Sequence, residues 1–216
     1  MKRLLVLISG NGSNLETIIK KTISNEIKGK VKLVISNNPD AYGLIRAKNF
    51  NIPIKVIDNT KYKSRDDFEN ELEIAIDLID PDLIILAGFM RILGKNIVNK
   101  YSKKMINLHP SILPLYPGID THKKVIKNKD RLHGISIHYV TAKLDSGPLI
   151  AQGIINVSKS DTHESIKKRI HKIEHILLPE IINDICVGNI KYNNGLLKFK
   201  STIKTHDNII IKNYEI

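Results

Sequence analysis

The chain has 216 residues, 42% hydrophobic and 26% charged, which allows one sizeable folded domain of ordinary globular composition. Its net charge of +12 comes from lysines spread along the whole length, and aromatics make up only 5%, so there is no RNA-binding signature; a solvated Lys-rich surface explains the charge, with attraction of small anionic substrates as its functional use. No apolar run approaches the roughly 18–20 residues needed to cross a bilayer, and the lone Cys186 leaves no internal disulfide, which suits the reducing cytoplasm.

The chain opens with two basic residues and the apolar run "LLVLIS". That run is too short for a secretory core and no small-residue cleavage site follows it, so it reads as a buried first strand. Strands are predicted over 3–9, 31–36, 54–57, 83–87 and 105–109, most of them continuous apolar runs of the kind found in a parallel sheet covered on both faces. Amphipathic stretches between them predict helices over 14–24, 43–49, 65–79 and 95–100. Ser64, followed by Asp66 and Asp67, marks one helix start, and Pro81 forces that helix to end. Further on, two strands flank a loop at 143–148, and a long helix runs from about 162 to 183, with Asp161 and Glu164 spaced as a capping pair. The tail predicts a hairpin with an Asn-Gly turn at 194–195. Alternating strands and helices imply an α/β fold: a doubly wound, mostly parallel, Rossmann-like sheet flanked by helices, with a late antiparallel portion. With no linker, repeat or low-complexity block, the expectation is one domain over 1–216, with a nucleotide-binding half at 1–104, a catalytic half at 105–189 and a tail at 190–216.

Ligands of such sheets bind beyond the carboxyl ends of the strands, and three polar clusters fall there. "SGNGSN", residues 9–14, joins the first strand to a helix through two glycines, and the helix start presents free N–H groups to an anion. It is neither a dinucleotide fingerprint nor a P-loop, so phosphate binding and an ordinary tight turn both fit it. "GFMRIL" follows the fourth strand. "NLHPS" follows the fifth, and there Asn107 and His109 point to the same side because strand side chains alternate. Two convergent donors at a strand end are what an oxyanion hole requires, and Pro110, Pro114 and Pro117 stiffen the loop beyond them. A buried Asn and His bonded to nearby backbone would give the same pattern. Asp145, in "KLDSGP", could orient His109 and raise its pKa, or simply bond its own turn. His138, two residues past Ser136 on one strand face, is a further candidate. His171 and His175 stand four apart with no third ligand at matching spacing, so no metal is expected. No Ser-His-Asp or Cys-His pattern points to a covalent intermediate.

Together, "LISGNGSNL", "LAGFMRIL", "INLHPSILPLYPG" and "HGISIHYVTAKLDSGP" resemble the folate-dependent formyltransferase family, and within it the glycinamide ribonucleotide branch of purine biosynthesis. The resemblance implies transfer of a formyl group from the cosubstrate 10-formyltetrahydrofolate to the amine of glycinamide ribonucleotide, releasing tetrahydrofolate with no covalent adduct. It implies that Gly12, Ser13 and Asn14 hold the nucleotide phosphate and that Glu174 contacts the glycinamide end. Arg65, Met90, Arg91, Ile92 and Leu93, with Asn107, would form the folate site, Arg65 meeting the glutamate tail. Asn107, His109 and Asp145 match the catalytic trio. Two departures stand out: Asp120 occupies a position where a His is expected, and His171 one where a Gln is expected. A formyltetrahydrofolate hydrolase would be expected to carry an extra N-terminal module, and a methionyl-tRNA formyltransferase an added C-terminal RNA-binding domain. A first strand at residue 3 and the short tail favour neither. The expected enzyme is cytoplasmic, a monomer or weak homodimer, without nucleic-acid or membrane partners.

Overall fold

The computed structural model describes residues 1–193 and 195–216, and the chain divides into two compact units, Met1–Asn107 and Leu108–Ile216. The first contains β1 (Lys2–Ile8), α1 (Ser13–Ile23), β2 (Gly29–Ser36), α2 (Tyr42–Asn49), β3 (Ile54–Val56), a 3-10 turn at Asn59–Lys61, α3 (Arg65–Ile79), β4 (Leu83–Leu86) and α4 (Lys95–Tyr101), and runs into β5 (Met105–His109). All its strand pairs are parallel: β1 with β2 and β4, β2 with β3, and β4 with β5. Leu4 through Ile8 are fully buried, the result expected for a central strand covered on both faces. Helix α3 starts as its sequence dictates, with the Ser64 side chain accepting the Asp67 N–H at 3.1 Å and two aspartates in the first turn.

The second unit contains α5 (Thr121–Asn128), β6 (Leu132–Tyr139), β7 (Leu149–Asn156), α6 (His163–Cys186), β8 (Ile190–Asn193), β9 (Leu196–Phe199) and β10 (Ile210–Tyr214). Strands β6 and β7 are antiparallel, β10 joins β7 in parallel, and β8 with β9 makes a separate antiparallel hairpin. The strand order is β5-β4-β1-β2-β3 in the first unit and β10-β7-β6 in the second, mixed but mostly parallel, as the sequence implies.

Three features differ from the sequence reading. Helix α6 continues past residue 183 to Cys186 and includes Pro179, because Ile173, Leu177, Leu178, Ile181 and Ile182 keep one continuous buried face. Its cap is Thr162 with Ser165, not Asp161 with Glu164: the Thr162 hydroxyl accepts the Ser165 N–H at 3.2 Å, and the Ser165 hydroxyl accepts the Thr162 N–H at 2.9 Å. Asp161 instead takes the Ser158 N–H and pairs with Arg169, each at 2.8 Å. Neither α5 nor β10 is expected from pattern, since α5 buries only Thr121 and Val125, and β10 only Ile210. In the predicted Asn-Gly turn, Gly195 has a positive φ of 79°, and Asn194 lies outside the described residues.

Within the first unit, β1 has β4 on one side and β2 on the other, so strand order reverses between β1 and β4. The segments leaving those two strands border the crevice where doubly wound sheets take their ligands. They are residues 9–14 and 88–93.

Candidate active site

The loop after β1 closes on Gly12, which caps α1 with φ 74°, a left-handed conformation that glycine adopts without strain. A Cβ on Gly12 would lie 2.6 Å from the Gly43 Cα, so the loop touches the start of α2 with no room for a side chain. The Gly43 N–H donates to the Gly10 carbonyl at 3.0 Å. Gly12 supplies no capping side chain, so the first-turn amides of α1, from Ser13 onward, are the natural donors to an anion. The sequence reading missed Arg46. Its guanidinium donates to the Asn11 carbonyl at 3.0 Å and to Asn11 Oδ1 at 3.1 Å, pairs with Glu16, and lies 4.9 Å from the centroid of the Tyr42 ring. That is a built clamp on the loop. Only Arg46's spacing from a Gly-rich helix start could have flagged it.

The segment after β4 is tied to the same loop: the Met90 N–H donates to Ser9 Oγ at 2.7 Å, and the Ser9 N–H donates to the Gly88 carbonyl at 3.0 Å. Met90 and Ile92 hold apolar side chains in the open, at 72% and 62% exposure, whereas Leu93 is buried and Arg91 is exposed. Two exposed apolar side chains beside a ligand crevice suit a flat aromatic ligand. Arg65 donates to Glu69 Oε1 at 2.8 Å and also to the Ile92 carbonyl, so this guanidinium braces the segment as well as facing solvent. Buried Glu69, also missed, accepts the Gly94 N–H at 2.6 Å and completes that brace.

In the second unit the structure brings His109 and Asp145 together. His109 ends β5, and Asp145 sits in the β6–β7 connection, which is drawn tight at Gly147: a Cβ there would lie 1.7 Å from the Tyr139 carbonyl oxygen. His109 Nδ1 is 3.4 Å from Asp145 Oδ2, with both side chains 6% exposed. Asp145 Oδ2 also accepts the Gly118 N–H at 2.8 Å, and Oδ1 lies 3.7 Å from His138 Nε2. The other His109 nitrogen, Nε2, donates to the Tyr116 carbonyl at 2.9 Å. Asn107 precedes His109 by two residues in β5, on the same side of the strand. Glu174 is buried on α6, and the rings of His171 and His175 stack one turn apart with centroids 6.4 Å from each other. Asp120 is exposed at the start of α5 and pairs with Lys123 at 3.0 Å. Among the described residues, no three His, Cys, Asp or Glu side chains converge to hold a metal ion.

The electrostatics correct one expectation. Asp145 does favour the His109 imidazolium, yet burial outweighs it, and the His109 pKa falls below the usual histidine value. Burial pushes Asp145 up, but His138, the Gly118 N–H and His109 together bring it below the usual carboxylate range. At neutral pH the pair is therefore mainly a neutral ring beside a carboxylate, poised to accept a proton rather than held permanently cationic.

The fold is a mostly parallel α/β sheet flanked by helices, and its second unit holds a buried His–Asp pair of the kind enzymes use to exchange protons. The formyl transferase family model matches residues 2–182, and the chain belongs to that family. It is 43% identical over 192 residues to the phosphoribosylglycinamide formyltransferase of Escherichia coli, covering 89% of this chain and 91% of that one. The Bacillus subtilis protein of the same name is 37% identical over 86% of this chain and 95% of its own length. A solved phosphoribosylglycinamide formyltransferase from Coxiella burnetii superposes with a TM-score of 0.91 at 43% identity, covering 98% of this chain and 99% of that one. No described helix is long and apolar enough to cross a membrane.

Proposed function

We propose that Asn107, His109 and Asp145 carry out formyl transfer from 10-formyltetrahydrofolate to the amine of glycinamide ribonucleotide, a step of purine biosynthesis; the similar proteins named phosphoribosylglycinamide formyltransferase or trifunctional purine biosynthetic protein support this reading. The observation that carries the residue assignment is the buried 3.4 Å approach of His109 Nδ1 to Asp145. The amine lone pair attacks the formyl carbon, and the carbonyl π pair moves to oxygen. Asn107 donates to that oxygen as it becomes an anion; loss of one such donor typically costs on the order of 100- to 1,000-fold in rate. The attacking nitrogen must lose a proton, and the departing folate nitrogen must gain one before its bond to carbon breaks. His109, neutral because it is buried, accepts the first proton, and Asp145 stabilises the imidazolium that results. The same proton then passes to the leaving nitrogen, directly or through water. Formylated ribonucleotide and tetrahydrofolate are released, and the histidine returns to its starting state.

Around this chemistry, Gly12, Ser13 and Asn14 take the nucleotide phosphate at the start of α1, and Glu174 takes the glycinamide end. Met90, Arg91, Ile92 and Leu93 receive the folate, with Arg65 near its charged tail. In this reading the enzyme works in the cytoplasm without a metal, as a monomer or weak homodimer. The test is an assay of tetrahydrofolate release from 10-formyltetrahydrofolate, with and without glycinamide ribonucleotide. Release only with the nucleotide is expected; release at the same rate without it identifies a hydrolase and refutes the transfer reading.

A further inference from the structure

A neutral histidine carries its proton on one ring nitrogen or the other, and only the bare nitrogen can accept a proton from a substrate. For His109 the structure selects one of these states. Nε2 faces the Tyr116 carbonyl oxygen at 2.9 Å, and a carbonyl oxygen only accepts, so Nε2 holds the proton. Nδ1 is left as the nitrogen that exchanges protons, on the side facing Asp145.

The Tyr116 carbonyl is not in that position by default. Tyr116 has a φ of 54°, in the left-handed region that an aromatic residue rarely occupies, so something must hold it there. Its own side chain is the tether. The phenol O–H donates to Asp130 Oδ2 at 2.5 Å, and Asn128 Nδ2 donates to the same phenol oxygen at 2.6 Å. Asp130 is in turn fixed at the end of α5, where its N–H donates to the Val125 carbonyl at 3.1 Å. On the other side of the loop, Ser111 Oγ donates to the Leu115 carbonyl at 2.6 Å, and the Leu115 N–H donates to the Ile112 carbonyl at 3.0 Å. The peptide that meets His109 is therefore clamped from both directions.

We propose that Tyr116, tethered through its hydroxyl by Asp130 and Asn128, is a positioning residue that fixes the tautomer and ring plane of His109 and makes Nδ1 the working nitrogen. This rests on the reading of His109 as the proton-exchanging group. Asp145, His138 and Lys124 also act on the ring, Asp145 from the Nδ1 side rather than through Nε2. The tether therefore makes a separable contribution.

The test uses full-length protein labelled with nitrogen-15 at histidine, observed by NMR above the His109 transition. In the parent protein the two His109 nitrogens are expected at well-separated shifts, with Nε2 protonated. Tyr116→Phe keeps the ring and removes the tether; its two shifts should move toward each other and kcat should fall, with KM for glycinamide ribonucleotide unchanged. Asp130→Ala should repeat that result, and Asp130→Asn, whose amide oxygen still accepts the phenol, should restore the parent shifts. Resonances of the buried His133, 2.8 Å from His122, serve as the control for general unfolding. A parent protein with its proton on Nδ1 overturns the proposal, as do unmoved His109 shifts in both Tyr116→Phe and Asp130→Ala. Failure of the underlying reading looks different: His109→Ala would then keep its turnover, whatever the spectra show.

Discussion

Asp145→Asn isolates the charge in the buried pair. The replacement is isosteric, and its amide oxygen can still accept the Gly118 N–H now held at 2.8 Å, so the loop keeps its shape. What disappears is a negative charge 3.4 Å from His109 Nδ1, between side chains only 6% exposed, where solvent screening is slight. At an effective dielectric of about 20, two unit charges at that separation interact by about 5 kcal/mol. Reorganised water and the amide dipole return part of this, and half of it, about 2.5 kcal/mol, is still a factor of about 70. The expected loss in kcat is therefore between about 70-fold and about 5,000-fold, with KM for glycinamide ribonucleotide little changed. The sign for titration is equally defined. Burial lowers the His109 pKa and Asp145 opposes that shift, so removing the charge should move the His109 transition to still lower pH. Steady-state rates, with an NMR titration of the same variant, measure both. A kcat within tenfold of the parent, or an unmoved His109 transition, would refute the role given to Asp145.

Gly12→Ala puts a methyl 2.6 Å from the Gly43 Cα at a φ of 74°, which costs about 1–2 kcal/mol in backbone conformation alone. KM for the nucleotide should rise about tenfold or more, with KM for the folate little changed; an unaltered nucleotide KM would remove this loop from phosphate binding. His133, 1% exposed and 2.8 Å from His122, is pushed down to about 3, chiefly by burial and then by its histidine neighbours. The unfolded chain protonates near the ordinary value, and the folded chain resists until about pH 3. The stability this gives is complete above pH ~6.5 and declines by about 1.4 kcal/mol per pH unit below it. His133→Gln should therefore flatten the fall in Tm between neutral and mildly acid pH; an unchanged slope would rule His133 out as a source of acid sensitivity.

Most of the first unit was legible in the sequence, because Leu4–Ile8 of β1 and all of β4 are buried on both faces and the longer helices carry an apolar stripe. Leu4 through Ile8 read as a central strand without further help, and α3 carries its own start signal in Ser64. The donor types near the strand ends were legible for the same reason: Asn107 and His109 share a side by strand alternation alone. Helix α5 and strand β10 were not, since one or two buried residues leave no period to detect, and each depends on a neighbour already in place.

The sequence by itself determined the order of elements, the glycine-rich turn and the chemical types offered at the sheet's carboxyl edge, all set by interactions between near neighbours along the chain. Only the tertiary structure decided that Asp145 reaches His109, that burial outweighs its charge, that Arg46 clamps the loop and that a tyrosine carbonyl occupies Nε2. Those outcomes depend on distances closed across long loops and on water excluded by distant segments, and no local pattern encodes either.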